Sequence, residues 1–132
     1  MSDKNDKSVE TEQGDKKILV VDKDPFLAEL VHYHFSKSGY TIESCLSIDD
    51  WFGMDPSDYS MIIVDVAIDS NCGTQIIESI SQGAPGVSTL VCAPANDTNS
   101  IVLALNAGAT DYITRPFAIS DFVSRINTIL QN

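Results

Sequence analysis

Two short apolar runs in this 132-residue chain end in acid. Ile18-Leu19-Val20-Val21 leads into Asp22-Lys23-Asp24, and Met61-Ile62-Ile63-Val64 leads into Asp65. Carboxylates gathered in one place can bind a divalent cation or a basic group. The runs are too short for helices and rich in β-branched residues, which suits strands buried on both faces of a parallel sheet. Ligand crevices in such sheets lie beyond the carboxyl ends of the strands. The spacing therefore predicts one crevice that gathers Asp22, Asp24 and Asp65, with Lys23 among them.

The elements that must position these groups alternate along the chain. Ile18–Asp22 reads as the first strand. Asp24 can cap a helix with Pro25 in its first turn, and Leu27, Leu30, Val31 and Phe35 share a face that ends at Gly39. Thr41–Cys45 reads as a second strand. Ser47 and Asp50 resemble a capping box for a short helix holding Trp51 and Phe52. The third strand is expected at Ser60–Asp65, followed by a loop over Val66–Gly73 and a helix over Gly73–Ile80. Ser88–Cys92 reads as the fourth strand. A helix from Asn96 or Asp97 to Gly108 then brings Ile101, Leu103 and Leu105 into play. Asp111–Thr114 is the fifth strand, and Ala118–Leu130 a closing helix that aligns Phe122, Ile126 and Leu130. Alternation of this kind predicts a single doubly wound α/β domain with helices on both faces. Residues 1–16 are polar and read as a disordered tail, leaving 17–132 as the folded domain.

Composition narrows the function. The net charge is −11, of which the first sixteen residues contribute −2. The remaining −9 argues against this chain holding nucleic acid by itself, because phosphate contacts need Lys and Arg. No secretory signal and no run of membrane-spanning length is present, so a cytoplasmic location is expected. Cys45, Cys72 and Cys92 lack metal spacing and read as reduced thiols, Cys92 as core filler. His32 and His34 lie two apart on a helix, face different directions and cannot form a metal pair.

The segments ILVVDKDP, MIIVDV with Asp65, Gly73 eight residues later, and NAGATDYITRPF together resemble the receiver domain of bacterial two-component response regulators. The resemblance runs from about Lys17 to Leu130. It implies a (βα)5 fold whose parallel sheet has the flavodoxin-like order 2-1-3-4-5. It also implies a phosphoryl group passing from a histidine kinase to the aspartate ending the third strand, here Asp65. Transfer to a carboxylate needs positioning and charge neutralisation more than covalent help. The family takes Mg²⁺ ligands from an acid pair after the first strand, from the phosphoacceptor and from a carbonyl two residues on. Those positions are Asp22, Lys23, Asp65 and the carbonyl of Ala67. A hydroxyl that contacts the phosphoryl group falls on Ala93, the switch aromatic on Tyr112, and the lysine before Pro-Phe on Arg115. The Arg115–Pro116 peptide is expected to be cis.

The match is atypical at its centre. Lys23 stands where relatives carry a second acid; protonated, it cannot coordinate Mg²⁺. At ~4 Å and an effective dielectric of ~20, each unit-charge pair is worth about 4 kcal/mol, so the swap weakens metal binding severely. Lys23 is instead expected as a counter-ion to Asp22 or Asp65. Ala93 lacks the hydroxyl that reports phosphorylation, Arg115 differs from Lys in reach and geometry, and Asp69 takes a place where relatives often have Pro. Plainer readings stand beside these: Asp24 caps its helix, Asp22 ends a strand, Tyr112 packs in the core, and Arg115 simply pairs with Asp65.

Three functions compete. The first is a receiver with atypical phosphorylation at Asp65, weakened or lost. The second is a phosphorylation-independent module that binds other proteins. The third is a haloacid-dehalogenase-like phosphatase, for which Asp22-x-Asp24 is the only support; Phe26 stands where that family wants Thr or Val, so no enzyme is expected. The partner is expected to be a sensor histidine kinase or another signalling protein. A homodimer through the fourth helix, fifth strand and fifth helix is also implied. Asp111 and Arg125 match one of its charge pairs, and Ile101 falls where relatives carry a basic residue.

Overall fold

A computed structural model describes residues 16–131. The tail expected over residues 1–16 lies, apart from Lys16, outside the described residues. The strands are β1 (Lys17–Val21), β2 (Thr41–Cys45), β3 (Met61–Asp65), β4 (Ser88–Pro94) and β5 (Asp111–Arg115). The helices are α1 (Phe26–Phe35), α2 (Ile48–Trp51), α3 (Gly73–Gly83), α4 (Thr98–Asn106) and α5 (Ile119–Gln131). All pairings are parallel, in the order β2-β1-β3-β4-β5. The order reverses between β1 and β3, so Asp22 and Asp65 emerge beside each other at the switch point.

Each central strand is buried on both faces, and alternate residues feed opposite cores. Leu19, Val21, Ile62, Val64, Val91 and Ala93 pack with Trp51, Ile76, Ile80 and Ala104 of α2, α3 and α4. Ile18, Val20, Ile63, Leu90, Cys92 and Ile113 pack with Val31, Phe35, Phe122 and Ile126 of α1 and α5. This double burial explains why the runs before Asp22 and Asp65 show no polar alternation.

Several boundaries and faces differ from expectation. β4 runs two residues further than Cys92, so Ala93 and Pro94 lie inside it and pair with Thr114 and Arg115. The stretch after β3 is not wholly a loop, because Ile68–Asn71 forms one helical turn. On α4 the buried residues are Ile101 and Ala104, whereas Leu103 and Leu105 are exposed. α3 and the end of α4 approach closely: Ser81 on α3 donates a 2.8 Å hydrogen bond to the carbonyl of Ala107, and a Cβ on Gly108 would stand 2.0 Å from Ser81 Oγ. Gly73 starts α3 against the chain that leaves the site. A Cβ there would stand 2.5 Å from Val66 Cα and 2.8 Å from the Asp65 carbonyl oxygen. Asp97 caps α4 through Ser100 N–H and Ser47 caps α2 through Asp50 N–H, as their spacing predicts.

Candidate functional site

Asp22 follows β1 directly and is 4% exposed. Its Oδ1 accepts from the backbone N–H of Asp24 at 3.1 Å. Its Oδ2 receives Nη2 of Arg115 at 3.1 Å. Asp65 ends β3, and its Oδ1 accepts from the N–H of Ala67 at 3.1 Å. The same oxygen lies 3.4 Å from Nη1 of Arg115. One guanidinium from the end of β5 thus spans both carboxylates, each through its own nitrogen. The fixed fork of arginine makes this possible, where a lysine ammonium would be a single point charge. Arg115 therefore binds Asp22 as well as Asp65.

The charge balance of this group is uneven. Two acids share one cation in a largely buried place. Burial raises the Asp22 carboxyl from its usual 3.8 to about 6; the hydrogen bond from Asp24 N–H opposes this, the charge of Asp65 adds to it, and Arg115 opposes it. Below them Cys92 is fully buried, and burial pushes its thiol up to about 12, so it stays protonated as core filler.

The other expected residues separate. Lys23 is exposed and makes no ion pair among the described residues, so it is not the counter-ion of Asp22 or Asp65. Lys23 sits in the bend closed by the hydrogen bond from Asp24 N–H to Asp22 Oδ1, and its side chain lies in solvent while Asp22 is buried. Asp24 is exposed, and its Oδ1 accepts from Phe26 N–H at 3.0 Å at the start of α1; the N-cap position itself is Pro25, so Asp24 holds the turn into the helix rather than capping it as expected. Asp24, Phe26, Pro94, Arg115, Pro116 and Phe117 edge an open cavity of about 570 Å³ beside the carboxylates. Ala93 is fully buried on the α2–α3–α4 side and offers no hydroxyl. The Arg115–Pro116 peptide is cis.

Tyr112 is not core packing: it is 38% exposed. Arg125 lies 6.0 Å over its ring and donates to its carbonyl at 2.9 Å. Arg125 also pairs within the chain with Asp111 at 3.2 Å and with Asp121 at 3.6 Å. Ile101 is buried, which fits the loss of a basic residue there.

Sequence reasoning noticed Asp69 only as a departure and missed what it does. It has φ 43, and its carboxylate accepts a hydrogen bond from Ile48 N–H, the first residue of α2. The loop after Asp65 is thereby tied to α2. A left-handed Asp and Asn71 at φ 74 are compatible with short polar side chains and not with proline, whose φ is fixed near −65°.

The donor set does not fit a divalent cation. Asp22 and Asp65 already face a guanidinium, Lys23 offers no ligand atom where relatives carry an acid, and Asp24 is turned to α1. Among the described residues no group of three or more His, Cys, Asp or Glu side chains is placed to hold a metal ion. No helix among them is long and apolar enough to cross a membrane.

Comparison with known proteins gives a consistent result. Residues 18–127 match the family described as the response regulator receiver domain. A probable transcriptional regulatory protein of Mycobacterium tuberculosis, TcrX, is 26% identical over 118 residues, covering 86% of this chain and 49% of that protein. The Escherichia coli transcriptional regulatory protein HprR is 27% identical over 117 residues, covering 87% of this chain and 52% of that protein. The chain thus spans about half the length of these curated relatives. A CheY-like receiver domain from Methanospirillum hungatei has the same fold, with a TM-score of 0.78 at 23% identity over 89% of this chain and 94% of that one.

Proposed function

The chain belongs to the response regulator receiver domain family, and we propose that it is a non-catalytic signalling module whose output does not depend on Mg²⁺-assisted phosphorylation of Asp65. One observation carries this reading: Arg115 spans Asp22 and Asp65 at 3.1 and 3.4 Å, where a receiver would hold its cation. The guanidinium neutralises the carboxylates without the open coordination positions that a metal offers to a phosphoryl oxygen. Ala93 supports the same reading, because it lacks the hydroxyl that would follow the state of Asp65. A domain held in one arrangement acts by the surfaces it presents to other signalling proteins.

A second reading keeps Asp65 as a weakened phosphoacceptor. Its side chain retains 15% exposure at the end of β3, and Arg115 is within reach of a group attached there. Amide NMR with Mg²⁺ and beryllofluoride separates the two. The proposal expects an unchanged spectrum at Asp65, Ala93 and Tyr112, and concerted shifts at those residues would overturn it.

A further inference from the structure

Between Ser38 and Thr114 there is no Lys or Arg, against ten Asp and Glu. This stretch builds α2, α3 and α4, the whole helical layer on one side of the sheet. The charged residues on those helices are Asp49, Asp50 and Glu78, all exposed and all acidic, so that layer presents negative charge with no interspersed positive charge, unlike the mixed surface of an ordinary solvated face.

It also carries an apolar notch. Ile48, Trp51, Phe52, Gln75, Ile76 and Ser79 line a cavity of about 130 Å³ between α2 and α3, a size that suits one aliphatic side chain. Phe52 stands at its edge with 77% of its surface exposed, a large apolar area for a monomer to leave in water. Exposed acids flank the notch: Asp49 lies one turn from Phe52 on α2, and Glu78 one turn from Gln75 on α3.

We infer that the α2–α3 notch is a docking site for a basic amphipathic helical segment of a partner protein. One apolar side chain of that segment would fill the notch against Phe52, and its lysines or arginines would meet Asp49, Asp50 and Glu78. Charge complementarity selects this occupant over a second copy of the chain, because two such layers would repel each other. The inference rests on the reading of the domain as an interaction module and names the partner's chemistry. It differs from the fourth-helix and fifth-helix face that receiver dimers are expected to use.

The chain contains a single tryptophan, Trp51, and it lines the notch, so its fluorescence reports occupancy directly. The probe is a Lys/Leu amphipathic peptide of about five helical turns, with a Glu/Leu peptide of the same pattern as its control. The Lys/Leu peptide should change Trp51 emission and shift amides of α2 and the start of α3. Binding should weaken at least about tenfold between low and physiological salt, and at least about tenfold in Phe52→Ala, whose exposed site leaves folding intact. Asp49→Asn with Glu78→Gln should weaken it about threefold to tenfold. An unchanged emission, equal binding of the Glu/Leu peptide, indifference to Phe52→Ala, or shifts centred on another face would each overturn the inference. So would concentration-dependent shifts of the same amides without peptide, which would assign the notch to self-association. The beryllofluoride experiment reads a different set of residues, so failure of one reading leaves the other visible.

Discussion

Replacing Arg115 with Met tests whether the guanidinium holds the two acids. Met keeps an unbranched stem and removes the charge. At 3.1 and 3.4 Å, with an effective dielectric of ~20, each attraction is about 5 kcal/mol before desolvation. The Arg115 side chain is 34% exposed and the buried Asp22 has a desolvation cost, so most of this is offset. Removing one partner of a largely buried pair leaves a loss of about 3 kcal/mol. The pH dependence is more diagnostic. Asp22 rises from 3.8 to about 6 on folding, chiefly through burial. Over that window the folded state binds more protons than the unfolded state, so the Asp22 contribution falls as pH rises and levels above about 6. Without Arg115 the carboxyl moves higher still, and the fall continues towards neutral pH. Urea unfolding should therefore place Arg115→Met within about 1 kcal/mol of the parent near pH 5, where both hold the Asp22 proton, and about 3 kcal/mol below it near pH 8. Adding Asp22→Asn should recover about 2 kcal/mol near pH 8, because no buried charge is then left unpaired. A loss under about 1 kcal/mol near pH 8, or an equal loss at both pH values, would refute the argument.

Two more outcomes follow from the same geometry. Lys23→Asp alone should raise Mg²⁺ affinity by less than about tenfold in calorimetry, since the exposed lysine is not what occupies the carboxylates; combining it with Arg115→Lys should give a larger gain, and no gain in the pair would show that neither cation is the block. Asp69→Gly should cost about 1 kcal/mol through the lost hydrogen bond to Ile48 N–H, and Asp69→Pro about 3 kcal/mol because φ 43 is closed to proline; thermal unfolding with no loss in Asp69→Gly would disprove the tie between the Asp65 loop and α2, and Pro as mild as Gly would disprove the left-handed turn.

The sequence showed the fold better than it showed the site. Strand-forming runs, the caps at Ser47 and Asp97, and the acids at the ends of β1 and β3 are local signals. So are the Gly, Pro and aromatic positions of NAGATDYITRPF, which led to the cis Arg115–Pro116 peptide. The exposed pair Leu103 and Leu105 was misread because apolar spacing alone does not reveal that α4 buries its Ile101–Ala104 face and leaves both leucines in solvent. The error at Lys23 has a different origin. Its position in the motif was right, but its partner depended on side-chain direction.

What the sequence determined by itself is the set of groups and the end of the sheet where they meet, because buried parallel strands leave their mark in continuous apolar runs. Tertiary structure alone decided how they pair. Arg115 lies 93 residues from Asp22 in the chain, and only the β1-β3-β4-β5 order brings its fork across both Asp22 and Asp65. The bend after β1, which buries Asp22 and leaves Lys23 in solvent, gave the cation's place to the arginine.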